Sequence, residues 1–208
     1  MATARDATGA AALAVGILIF DDVEVLDFCG PFEVFSVAAR IAEDESPAFT
    51  VFTVAERADL VSARGGLRVR PDYTLADHRP IDLLVVPGGW GTRREVRNTD
   101  LIAWIARVAA SSQLTTSVCT GAFLLAKAGV LEGRAATTHW QSLNRLAAAY
   151  PDIEVRRETR WVDEGAVVTS AGISAGIDMS LHIVERLLGR ERAEATARHM
   201  EYTWQDAG

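Results

Sequence analysis

The chain of 208 residues is long enough to bury one core, and its 49% hydrophobic and 24% charged content is that of an ordinary globular protein. A formal net charge of −7 argues against a nucleic-acid or anionic-membrane surface, which would carry a basic stripe. Two cysteines, Cys29 and Cys119, make no disulfide framework, and four scattered histidines without an HExxH spacing make no metal site.

Residues 1–12 read as a tail, small and polar over Met1 to Gly9. The apolar stretch Ala10–Phe20 follows Arg5 but ends in Asp21-Asp22 with no small-residue cleavage pattern. It therefore reads as a first strand, Leu13–Phe20, rather than a signal segment. No run reaches the ~20 apolar residues of a membrane span, and the expectation is a cytoplasmic protein with no membrane partner.

A helix is expected from Pro31 to Ile41, with proline in its first turn, and a second strand over Phe49–Val54. Leu60–Ala63 and Leu67–Arg70 flank Arg64-Gly65-Gly66 as a hairpin. Ile81–Val86 is nearly all aliphatic, as in a strand buried on both faces, and stops at Pro87-Gly88-Gly89. Asp100 is expected to cap a helix through Val108, and Thr115–Val118 to be a strand ending at Cys119. A short strand Ala135–Thr138 leads to His139 and a helix through Leu146. A second hairpin, Arg160–Val162 with Ala166–Thr169, precedes two closing helices, Ile177–Leu188 and Glu191 to about Tyr202. Strand and helix periods alternate over residues 13–208, which predicts a single α/β domain around a mainly parallel sheet.

In such a sheet the site lies at the carboxyl ends of the strands. Three loops are expected to converge there: Asp21–Gly30, Pro87–Thr92 and Cys119-Thr120. In Ser117-Val118-Cys119-Thr120-Gly121, a strand, a sharp turn and a helix start follow one another as in a nucleophile elbow. A thiol at a helix N-terminus is expected to have a lowered pKa. Asp27 is either a helix cap or a carboxyl group facing Cys119, protonated so that it can donate to the thiolate. The run Gly88-Gly89-Trp90-Gly91 is either a plain turn or the source of a backbone donor which, with the Thr120 N–H, forms an oxyanion site. Trp90 then lines the pocket or shields the loop. His139 either pairs with the cysteine or caps its own helix. Asp178 serves the first turn of a helix, and Cys29 is either a packing residue or, if the Asp27 loop folds over Cys119, a resolving cysteine.

The strings Leu26-Asp27-Phe28-Cys29-Gly30-Pro31, Val86-Pro87-Gly88-Gly89, Ser117-Val118-Cys119-Thr120-Gly121, Ala136-Thr137-Thr138-His139-Trp140 and Ala171-Gly172-Ile173-Ser174-Ala175-Gly176-Ile177-Asp178 together resemble the ThiJ/PfpI (DJ-one) superfamily. Within it they are most similar to bacterial isocyanide hydratases and to the sensor domains of some AraC-type regulators. The resemblance implies a flavodoxin-like three-layer sandwich of the class I glutamine amidotransferase type, usually a homodimer. It implies Cys119 as nucleophile, Asp27 as the acid beside it, backbone donors at Thr120 and Gly89, and a pocket at Gly88, Trp90, Ile173 and His139. The implied reaction adds water to a small isocyanide through a Cys119 thioimidate, without cofactor or metal, giving an N-substituted formamide. Two further activities belong to the same superfamily: glyoxalase- or deglycase-like action on reactive carbonyls, and redox sensing at the cysteine.

Three departures refine the picture. Superfamily proteases carry histidine directly after the cysteine, where this chain has Thr120. The regulators continue into a helix-turn-helix region, which is not expected within these residues. Hydratases carry a threonine-like residue where Cys29 stands.

Overall fold

The computed structural model describes residues 12–41 and 48–206, so the tail expected over residues 1–12 lies outside the described residues save for Ala12. Strands β1 (Leu13–Leu18), β2 (Phe49–Ala55), β6 (Leu83–Val86) and β7 (Leu114–Val118) form the middle of the main sheet, with the β3–β4 hairpin (Val61–Ser62 and Arg68–Val69) apart from it. Short β5 (Tyr73–Thr74) extends one edge, and the hairpin β10 (Trp161–Asp163) and β11 (Val167–Ser170) closes the other. The order is β10-β11-β7-β6-β1-β2-β5, parallel throughout except for the β10–β11 pair. Aliphatic strands fit this position: all four residues of β6 are buried, because helices cover both faces.

On one face lie α1 (Val25–Ala38), α6 (Ala175–Leu188) and α7 (Arg190–His199), packed on one another. On the other lie α2 (Thr92–Glu95), α3 (Thr99–Ser111) and α4 (Ala122–Lys127). Strand order reverses at β1, which has β2 on one side and β6 on the other. The crevice above β1 and β6 is therefore where a parallel sheet opens to a ligand.

Four expectations change. Helix α1 starts at Val25, six residues before Pro31, so Asp27 and Cys29 stand on a helix rather than in a loop. Proline is tolerated inside it because the N–H it lacks would have bonded only one carbonyl, that of Asp27. The cap of α3 is Asn98, whose side chain accepts from the Leu101 N–H at 3.2 Å, rather than Asp100. The expected strand at Ala135–Thr138 shrinks to β8 (Ala135–Ala136), which pairs with β9 (Glu154–Val155) outside the main sheet. Thr137 instead bonds β11, its N–H donating to Thr169 Oγ1 at 2.9 Å. His139 then caps a short 3-10 turn, Trp140–Ser142, ahead of α5 (Leu143–Ala149).

Candidate functional site

The chain turns from β7 into α4 at Cys119, whose φ of 56° lies in the left-handed region. A non-glycine residue there costs about 1–3 kcal/mol and persists only when its surroundings fix it. Two bonds do so. Thr138 Oγ1 donates to the Cys119 carbonyl at 2.7 Å, and the Cys119 N–H donates to the Ala171 carbonyl at 3.3 Å. Gly121 completes the turn, since a Cβ there would strike the Val86 carbonyl at the end of β6. The thiol is thus held at the sheet edge, with only 6% of Cys119 exposed.

The first turn of α1 brings Asp27 to the same point from below β1. Its side chain is fully buried, and Oδ2 accepts from the Gly88 N–H at 3.0 Å. Oδ1 has no conventional hydrogen-bond partner, and the carboxyl group interacts with the Cys119 side chain. The three segments are tightly fitted: a Cβ on Gly88 would lie 2.5 Å from the Thr120 nitrogen and 2.9 Å from Asp27 Oδ2. Only glycine leaves room for the carboxyl group beside the elbow.

Burial pushes the Asp27 carboxyl group up to about 7, helped by the nearby Glu24 charge and opposed by the Gly88 N–H and Cys119. The Cys119 thiol is also pushed up, first by burial and then by the Asp27 charge, against bonds from Thr120. This reverses the lowered thiol pKa expected from the helix start. The field at the start of a short helix is outweighed by desolvation and a neighbouring carboxylate. Asp27 and Cys119 resist holding two negative charges, so at least one proton is retained between them through the neutral range.

Thr120 follows Cys119 in the turn and places its N–H beside the sulfur, while its hydroxyl donates to the Gly89 carbonyl at 3.3 Å. Gly89 does not add a free one. Its N–H donates to Thr120 Oγ1 at 3.0 Å, so its contribution is to fix that hydroxyl rather than to meet a reacting atom. Thr92, absent from the sequence-derived site, joins the same buried network. Its hydroxyl lies 2.7 Å from the Gly89 carbonyl and 3.1 Å from Thr120 Oγ1.

His139 lies beside the thiol without bonding it: a Cβ on Gly172 would sit 2.6 Å from His139 Cδ2 and 3.0 Å from Cys119 Sγ. Its Nδ1 accepts from the Gln141 N–H at 3.3 Å, which is the capping role. Partial burial lowers its pKa, against the Glu24 charge, favouring the neutral ring. Trp90, next to Gly89, is 58% exposed, with the Arg93 guanidinium 4.5 Å from its ring centre. Ile173 is half-buried in the segment next to Gly172. Cys29 is half-buried and free, two residues beyond Asp27 on α1 and hence turned to the far side of that helix.

Sequence reasoning missed Glu24, Thr92, Thr138 and Gly172. Of these, Gly172 stood within a quoted glycine-rich string, and Thr138 within another. Glu24 and Thr92 lay in loops expected to converge on the site, but nothing singled them out, since their roles arise from tertiary neighbours. Among the described residues, no three His, Cys, Asp or Glu side chains cluster as a metal site would require, and no helix is long and apolar enough to cross a membrane.

A family model described as the DJ-1/PfpI family matches residues 14–186. Isonitrile hydratase of Pseudomonas putida is 34% identical over 191 residues, covering 92% of this chain and 79% of that protein. The HTH-type transcriptional regulator GbdR of Pseudomonas aeruginosa is 27% identical over 188 residues, 90% of this chain. This chain spans only 50% of the regulator's length. Among solved structures, a THiJ/PfpI family protein from Pseudomonas syringae aligns with TM-score 0.83 at 29% identity, covering 94% of this chain and 77% of that one. Drosophila melanogaster DJ-1beta shares the fold, with TM-score 0.79 at 20% identity over 93% of this chain and all of its own. A fold match of this quality and a family match across most of the sequence agree: the chain belongs to the DJ-1/PfpI family.

Proposed function

We propose that the protein is a cofactor-independent hydratase that converts a small isocyanide to an N-substituted formamide at Cys119. The reading is carried by the buried Asp27–Cys119 pair, in which a carboxyl group raised to about 7 stands beside a buried thiol. The similarity to isonitrile hydratase supplies the substrate class.

An isocyanide, R–N≡C, reacts at its terminal carbon, which must gain both a nucleophile and a proton. The Cys119 sulfur bonds that carbon while Asp27 takes the thiol proton and passes it to the same carbon. The product is the thioimidate R–N=CH–S–Cys119. Water then adds to this carbon, with Asp27 taking one of its protons and passing that proton to the nitrogen. Collapse of the R–NH–CH(OH)–S intermediate breaks the C–S bond, releases R–NH–CHO and returns the proton to the thiol. A carboxyl group near 7 suits both directions of transfer, because the driving force is small at neutral pH. Thr120, with its N–H at the sulfur, stabilises the charge that passes through it. Trp90, Ile173 and His139 border the entrance, with Gly88 and Gly89 forming the wall.

In this reading the protein acts in the cytoplasm as a homodimer on a small molecule, with neither nucleic acid nor membrane as partner. Two free cysteines suit a reducing compartment. A redox sensor fits the site less well, since a sensing thiol needs access and a lowered pKa. A glyoxalase-like activity is distinguished by substrate.

The test is turnover of an aryl isocyanide, followed as formamide, beside methylglyoxal followed as lactate. Formamide from the native protein and none from Cys119→Ala supports the hydratase. Lactate without formamide, or inertness towards both with rapid peroxide oxidation of Cys119, refutes it.

A further inference from the structure

On the α2–α4–α5 side of the molecule is a second cavity, of about 290 Å³, bordered by Arg93, Arg97, Arg145, Phe123 and Tyr150. Its inner wall is Thr92, whose hydroxyl faces away into the Thr120 network; neither Cys119 nor Asp27 reaches it. The size is that of a site for a small ligand.

Three arginines border this cavity, and two of them, Arg93 and Arg97, also border the neighbouring one that carries Asp21, Glu56, Asp59 and Glu95. Among the described residues, no carboxylate lies within salt-bridge distance of any of them, although the chain as a whole carries a net charge of −7. The buried acid on α2, Glu95, is already taken by Arg94 at 2.8 Å and by the Asn98 amide at 3.0 Å. Arg145 is also held rather than free, with its guanidinium 4.3 Å from the Phe123 ring centre. Stacking of this kind fixes the plane of the fork and leaves its edge donors available. Burial and the charge of Arg93 both oppose the positive charge on Arg145, so an anion placed between the arginines would relieve a repulsion already present. Phe123 and Tyr150, 6.4 Å apart edge to face, give the cavity an apolar floor beside this cationic rim.

We propose that this cavity binds a small organic anion, its carboxylate or phosphate group held by Arg93, Arg97 and Arg145 and its apolar part laid on Phe123 and Tyr150. Paired guanidinium donors match the oxygens of either group, and the floor selects against bare inorganic ions. The cavity does not include the thiol and adjoins that site only through Thr92 and through Arg93, which also stacks on Trp90; the proposal stands whether or not the hydratase reading does.

Isothermal titration of the full chain with phenyl phosphate tests this. Saturable one-to-one binding is expected, weakened about tenfold or more in Arg145→Gln and in Arg97→Gln, and retained in Cys119→Ala. Loss in either arginine variant with an unchanged circular dichroism spectrum supports the site even if the other variant fails to fold. Benzoate is expected to displace phenyl phosphate, whereas inorganic phosphate should compete about tenfold less well; equal competition by inorganic phosphate overturns the apolar floor as part of the site. The proposal is overturned by an absence of saturable binding, by equal binding of neutral benzyl alcohol, or by loss of binding in Cys119→Ala. It is also overturned if Arg145→Gln alters self-association while phenyl phosphate gives no heat, since the cavity would then be a contact between copies of the chain.

Discussion

Replacing Asp27 by asparagine should change how the stability of the fold depends on pH. In the folded protein the carboxyl group is raised from 3.8 to about 7, mainly by burial, whereas in the unfolded chain it titrates near its ordinary value. Between those limits the folded state holds a proton that the unfolded state has released, so stability falls as pH rises. Its contribution is complete below about pH 4 and lost as pH passes through about 7. A displacement of roughly three at 1.36 kcal/mol per pKa unit makes the difference about 4 kcal/mol. Asparagine has nearly the same shape, can still accept from the Gly88 N–H, and does not titrate. The gap in unfolding free energy, variant minus native, should therefore grow in the variant's favour by about 4 kcal/mol from pH 4 to pH 8. Urea unfolding at several pH values measures it, and groups common to both proteins cancel. Parallel curves, with a gap changing by less than about 1 kcal/mol, would show that Asp27 is not held in the dry contact described here.

The same substitution removes the charge that raises the Cys119 thiol, so iodoacetamide should alkylate Cys119 about tenfold faster at pH 8, against a slower reaction if Asp27 instead donates to a thiolate. Gly172→Ala would place a methyl group 2.6 Å from His139 Cδ2 and 3.0 Å from Cys119 Sγ. Isocyanide turnover should fall about a hundredfold through displacement of the thiol, and full activity would contradict the geometry. Asp178 is fully buried, bonds the Arg160 side chain with Nε at 2.7 Å, and accepts from the Gln205 N–H at 3.0 Å. Asp178→Ala should cost about 3–5 kcal/mol in denaturant unfolding by stranding Arg160, and a loss below 1 kcal/mol would contradict that.

How far the chain discloses its own architecture varies by element. Strands β1, β2, β6 and β7 are aliphatic because both faces are covered, and that coverage leaves a run readable without a structure. Strands β5 and β9, two residues each, carry no period to read. Helix α1 was expected too late because Pro31 resembles a helix start, yet the missing proline N–H removes only one bond from its interior. The meeting of Asp27, Gly88 and Thr120 followed from the sheet topology, since all three lie past the carboxyl ends of adjacent strands. The roles of Thr92, Thr138 and Glu24 did not, because a hydroxyl or carboxylate that serves a neighbour distant in sequence has no local pattern. The thiol's environment was misjudged for a related reason. Its helix start is visible in sequence, whereas the depth of burial and the facing carboxylate are properties of the folded site.

The central claim is covalent catalysis at Cys119, and acid-quenched mass spectrometry during turnover of an aryl isocyanide tests it most directly. The account predicts that the peptide carrying Cys119 gains the mass of one intact isocyanide, that this species decays as formamide appears, and that Cys119→Ala forms neither. Formamide produced at the native rate by Cys119→Ala, or by a native protein whose Cys119 never carries the added mass, would contradict it.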